Sequence, residues 1–342
     1  MIQRFRALPL AALMLAPLAA TAAASELTPV TFGTNWRAQA EHGGFYQALA
    51  EGTYEACGLD VTIVPGGPQV NNRALLLAGK LDFYMGGDLL QAFSGAAEGI
   101  PFVAVAAIMQ KHPQVFLAHP GKAERFEDLK DLELLVSDSG LATFYRWMIA
   151  EHGFTEDQRE PYTFNPAPFV ADEGKGMQGY LSSEPYAVAK EVGFEPTVHL
   201  LADNGYSTYA TTIEVMRDTL EGEPQAVECF VDASIEGWYS YLYGDPTPGN
   251  ARIKADNPDM SDDKIAFAIE AMKANGIVDS GDAETMGIGV MTEARVRDFH
   301  DAMAKAGVIE ALDDPTVVFD PRFVGEGVPE AAAALKGAGT TR

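Results

Sequence analysis

Residues 59–88 read LDVTIVPGGPQVNNRALLLAGKLDFYMGGD, and this stretch decides the fold. Leu59–Val64 alternates and is rich in β-branched residues, which predicts a strand. Pro65-Gly66-Gly67-Pro68 is a turn that opens a helix over Val70–Ala78, stopped by Gly79. Leu81–Met85 predicts the next strand. Gly86-Gly87-Asp88 then reads as a tight turn, with Asp88 capping a helix over Leu89–Ala97. Working outward, Gly99 closes that helix and Phe102–Met109 is a further apolar strand. Upstream, the strand Val30–Gly33 leads to Thr34-Asn35-Trp36, and a helix from Gly43 to Cys57 ends at Gly58. Strand and helix alternating at this spacing specify a mostly parallel sheet covered by helices on both faces. Ligands in such sheets sit beyond the C-terminal strand ends. The turns at Asn35-Trp36, Gly66-Gly67 and Gly86-Gly87-Asp88 therefore point into one region.

A second unit of the same kind begins near His119. Glu133–Ser137 predicts a strand, Asp138-Ser139-Gly140 a loop and Leu141–His152 a helix. Tyr162–Phe164 and Gly179–Leu181 predict short strands, the second ending at Ser182-Ser183-Glu184-Pro185. His199–Ala202 and Tyr209–Ile213 are extended, and Val215 to about Lys305 is mainly helical, with breaks at Pro246–Gly249, Asn257-Pro258 and Asn275-Gly276. Two α/β units followed by helices predict a chain that crosses twice between lobes, near Gln114–Ala118 and Thr208–Ile213. Residues 25–116 and 210–335 then form a discontinuous first lobe, 117–209 the second, and 336–342 a flexible tail.

Met1–Arg6 is basic, Ala7–Ala20 is apolar and Thr21–Ala24 is small, the pattern of a secretory signal cleaved near Ala24. Residues 25–342 exceed what one hydrophobic core supports, in keeping with two lobes. The 47% hydrophobic content is that of a globular protein, and no later segment is apolar enough to span a bilayer. The formal charge of −25 becomes −27 once Arg4 and Arg6 leave, which disfavours nucleic acid and anionic lipid as partners. Cys57 and Cys229 either form one disulfide or stay as buried thiols; spacing does not decide between them. No metal-ligand cluster, cofactor loop or catalytic motif stands out.

The segments Asn35-Trp36, His42-Gly43-Gly44-Phe45-Tyr46 and Gly58-Leu59-Asp60-Val61 resemble a known family in their order. Gly79–Phe83 and Gly179–Tyr186 continue the likeness. The chain resembles the periplasmic solute-binding proteins of the nitrate/sulfonate/taurine importers, and within them the branch similar to thiamine-pyrimidine precursor binders. The resemblance implies an α/β, two-lobed periplasmic binding protein clamshell (type II-like), closing on its ligand and serving an ABC permease and ATPase as a monomer. It implies a periplasmic location, a small aromatic nitrogen heterocycle as solute, no cofactor and no enzymatic activity.

Candidate contacts follow from position and from this likeness. Trp36, at a strand tip, offers a flat face to a ring or caps the sheet. Glu184, four residues after Tyr180, suits the amine and protonated ring nitrogen of an aminopyrimidine, or else starts the helix Pro185–Glu191. Asp88 caps a helix and also stands where a ligand is expected. His42, Asn71, Phe144, Tyr180 and Tyr186 complete the set. Arg146, after Ser139-Gly140, is the cation that would serve an alkyl sulfonate or similar anion instead. The same fold hosts a pyridoxal phosphate-dependent pyrimidine synthase whose chemistry needs a lysine and a histidine. The corresponding positions here hold Gly86 and Leu90, which counts against that activity.

Overall fold

A computed structural model describes residues 26–339; the signal-like segment and the last three residues lie outside the described residues. Among the described residues, ten strands form two five-stranded sheets. The first contains β1 (Thr28–Gly33), β2 (Leu59–Val64), β3 (Phe83–Asp88) and β4 (Phe102–Met109). The second contains β5 (Gln114–Ala118), β6 (Glu133–Val136), β7 (Arg159–Pro161), β8 (Lys175–Tyr180) and β9 (Thr197–Leu200). The chain then returns to the first sheet as β10 (Ala210–Met216). The orders are β2-β1-β3-β10-β4 and β7-β6-β8-β5-β9. In each sheet four strands run in one direction, three of them paired side by side as the strand–helix alternation dictates. The first strand laid down after each crossing, β5 or β10, inserts antiparallel one place from the edge.

Several boundaries differ from the sequence reading for identifiable reasons. Gln114–Ala118 is a strand rather than a crossing, because it pairs with both β8 and β9. The chain therefore changes sheets just before it, at residues 110–113, and again at 205–209. Gly86-Gly87-Asp88 is strand rather than turn, since Thr212 and Ala210 of β10 face Gly86 and Asp88. The helix expected over Gly43–Cys57 breaks at Gly52, whose φ of 75° is left-handed, into Gly43–Glu51 and Thr53–Ala56. The strand expected at Tyr162–Phe164 lies three residues earlier, as β7. Of the tail expected at 336–342, residues 336–339 belong to the helix Glu330–Gly339 and the remainder lies outside the described residues.

Helices from the end of the chain complete the first lobe. Gly43 and Gly44 lie beneath Tyr241 and Trp238 of the helix Pro224–Tyr243. A Cβ on Gly44 would come within 2.1 Å of the Trp238 ring, so glycine is what lets these helices approach. Cys57 and Cys229 form a disulfide, with Cα atoms 5.8 Å apart, that ties the same helix to the end of Thr53–Ala56. Arg295, from the helix Glu293–Lys305, braces both crossings. Its guanidinium donates to Gln110 in one and to the Ser207 carbonyl (3.0 Å) in the other, and stacks 4.0 Å over Tyr209. Among the described residues no helix is long and apolar enough to cross a membrane.

Candidate binding cleft between the lobes

The loops at the strand tips of both sheets enclose a cavity of about 360 Å³. The first sheet contributes Asn35 and Trp36 after β1, and Gly87 and Asp88 at the end of β3. The second contributes Ser137 and Ser139 after β6, Tyr162 and Phe164 after β7, Tyr180 at the end of β8 and Glu184 beyond it. This is where parallel strands leave backbone groups and loop side chains free to meet a ligand.

Trp36, His42, Asp88, Phe144, Tyr180 and Glu184 all line the cavity. Asn71 and Tyr186 are not on its wall. Asn71 is exposed and caps the helix Asn72–Leu77, accepting from the Ala74 amide at 3.0 Å. Its neighbour Asn72 is the buried one, donating to the Thr34 and Val64 carbonyls. Tyr186 packs on Phe267 of the opposite lobe, with ring centroids 5.3 Å apart. Arg146 is exposed and away from the wall. Among the described residues the lining contains no lysine or arginine.

Three carboxylates do reach the wall. Glu184 is both the first residue of the helix Glu184–Ala187 and a cavity residue. Its Oε2 accepts from the Tyr180 amide at 2.6 Å and from the Ser183 hydroxyl, leaving Oε1 without a partner among the described residues. Gly179 makes this placement possible, because a Cβ there would lie 2.7 Å from the Glu184 Cβ. Asp88 also plays two parts. Its Oδ1 accepts from the Leu90 and Gln91 amides, while Oδ2 accepts from the Tyr206 hydroxyl at 3.1 Å. Glu41 is buried and accepts from the Ser182 hydroxyl of the other lobe. Burial pushes its pKa up, against the opposing effect of the Ser182 hydrogen bond.

Burial disfavours the charged form of both cavity histidines. Burial lowers His42 to about 3, and its Nδ1 has no hydrogen-bond partner. His112 is lowered by burial against the pull of Asp88. Its Nδ1 accepts from the Gln114 amide at 3.1 Å, which leaves the proton on Nε2, 3.8 Å from Asp88.

Aromatic rings close the mouth. Phe164 stands 5.4 Å from Trp36 and 5.4 Å from Tyr162, centroid to centroid. Its backbone has a φ of 63°, a conformation that costs a bulky residue about 1–2 kcal/mol. Glu41, His112, Tyr162 and Phe164 were not singled out from sequence. For Tyr162 and Phe164 the signal was available, since a loop after a parallel strand belongs to the ligand end of the sheet.

Position 86 has no room for a lysine. A Cβ there would lie 2.1 Å from Glu214 Oε1 and 2.3 Å from Thr212 Oγ1. Glu214 is fully buried beneath the cleft, with Arg73 Nε 4.0 Å away. Burial raises its pKa to about 7, opposed by the Arg73 charge.

The profile of the NMT1/THI5-like family matches residues 39–248, which run from the cleft loop before His42 to the helix that packs on Gly44. The chain belongs to the NMT1/THI5-like family. No curated protein matches the sequence significantly. Among solved structures, the fold is similar to the periplasmic aliphatic sulphonate-binding protein SsuA of Escherichia coli, with a TM-score of 0.63 and 14% identity over 85% of this chain and 97% of that one. It is similar to the periplasmic nitrate-binding protein NrtA of Synechocystis PCC 6803, at 0.62 and 13% over 92% and 99%. It is also similar to the desulfurization enzyme DSZB, at 0.55 and 12% over 91% and 99%. At these identities the likeness is one of fold: two α/β lobes arranged as in the periplasmic binding proteins.

Proposed function

We propose that this family member is the extracytoplasmic solute-binding component of an ABC importer. It captures a small planar nitrogen heterocycle, of the aminopyrimidine type, by closing its lobes. A monomer would deliver the closed, loaded form to a membrane permease and its ATPase. One observation carries the reading: the wall joins aromatic rings to Glu41, Asp88 and Glu184 and contains no lysine or arginine among the described residues. A carboxylate oxygen without a partner, as in Glu184, accepts from an exocyclic amine or a protonated ring nitrogen. An anion in the same place would meet like charge with no cation to offset it. The volume of about 360 Å³ suits one small ring with substituents.

The sulfonate and nitrate binders of the same fold make the anion the competing ligand. Thermal denaturation of the purified protein decides between them. A ligand at about 100 times its Kd stabilises by ~2.7 kcal/mol, a readily measured rise in Tm. Hydroxymethylpyrimidine or formylaminopyrimidine is expected to raise Tm, whereas taurine, an alkanesulfonate and nitrate leave it unchanged. The reverse pattern refutes the proposal.

A further inference from the structure

Phe164 combines two features that a loop residue would ordinarily avoid. The residue is 52% exposed, and its backbone sits in the left-handed region that favours glycine and asparagine. The residue cannot relax locally, because both sides of it are anchored. The Tyr162 amide donates to the Val136 carbonyl at 3.1 Å, and the Asn165 side chain accepts from the Ala167 amide at 3.1 Å, at the start of the helix Ala167–Ala171. Strain of this kind collects at ligand clamps. Here it aims an apolar ring across the mouth of the cavity at Trp36, which belongs to the opposite lobe. The contact can therefore exist only while the lobes are together.

We propose that Phe164 and Trp36 form an aromatic gate that shuts behind the ligand, so that Phe164 sets how long the ligand stays rather than which ligand is chosen. The separation of 5.4 Å fixes the arrangement. A ring inserted between two others needs about 7 Å, twice the contact distance of carbon atoms. The ligand thus lies beneath the pair, against the carboxylate wall, and the two rings touch each other above it. Opening the gate exposes both rings to water, which opposes release. The ligand class rests on the proposed function; the gate itself does not.

The test uses Phe164→Gly, and Phe164→Asn as a second variant that also tolerates the backbone. Stopped-flow displacement of hydroxymethylpyrimidine is expected to show dissociation accelerated about tenfold or more, with association changed by less than about threefold. An unchanged dissociation rate in both variants overturns the gate. Fluorine NMR of 5-fluorotryptophan-labelled protein supplies an arm that needs no ligand. The resonance absent from Trp36→Phe must shift in Phe164→Gly and in Phe164→Asn, and a resonance that stays in place overturns the contact. If wild-type protein fails to bind the pyrimidine while that resonance shifts, the ligand class falls and the gate stands.

Discussion

Replacing Glu184 by glutamine tests the recognition chemistry at one atom. The carboxylate is held by its Oε2, which accepts from the Tyr180 amide and the Ser183 hydroxyl. A glutamine keeps an oxygen for those two donors but turns an NH2 group toward the cavity in place of Oε1. A ligand amine then meets a donor instead of an anionic acceptor. Loss of a hydrogen bond to a charged group costs about 1.5–3 kcal/mol. That corresponds to an affinity loss of roughly 10- to 150-fold. The fold keeps its helix-start acceptor, so Tm is expected to move by about 2 °C or less. Isothermal titration with hydroxymethylpyrimidine reads the first number and calorimetry the second. Gly179→Ala is the companion variant. Its methyl group would crowd the Glu184 Cβ at 2.7 Å and Leu117 Cδ1 at 2.9 Å, so it shifts the carboxylate without removing it. A Glu184→Gln protein that binds within about threefold of wild type refutes the assignment.

Trp36→Ala is expected to weaken pyrimidine binding about tenfold while the protein stays folded, since the ring is only half-buried; unfolding in circular dichroism would make Trp36 a core residue instead. Cys57→Ser with Cys229→Ser opens a link spanning 172 positions, which corresponds to about 5 kcal/mol of chain entropy at most. Urea denaturation is expected to show a loss of that order. Glu214 binds its proton more tightly in the folded protein than in the unfolded chain, so its contribution is full below about pH 4.5 and is lost as pH rises through about 7. Stability is expected to fall by up to ~3 kcal/mol from pH 4.5 to 8 in wild type, and far less in Glu214→Gln; parallel pH profiles would contradict this.

Strand tips were legible because hydrophobic runs and glycine stops locate them, and the tips locate the cavity. Trp36, Asp88, Tyr180 and Glu184 were reachable by that route. Asn71 lies off the cavity wall because its side chain is spent on capping the helix that begins at Asn72, a role its position also allowed. Gln114–Ala118 resembles a link by itself and becomes a strand only through partners 60 or more residues away, such as Gly179, which receives the Gln114 side chain. Glu41 was invisible for a similar reason. Its burial depends on Ser182, 141 positions along, and on the meeting of two lobes. The place of Phe164 at a strand tip was legible, but its left-handed backbone was not, because a phenylalanine carries no signature of it.

The position of β10 also constrains how the molecule is made. This strand lies between β3 and β4, yet it is synthesised only after every strand of the other sheet. Until residue 216 emerges, the amino-terminal portion presents two unsatisfied strand edges flanking an empty slot, and no local contact can fill it. The nascent chain thus cannot complete its first sheet until the second has been synthesised. A fragment ending near Pro113 would have the same open slot permanently and would tend to self-associate.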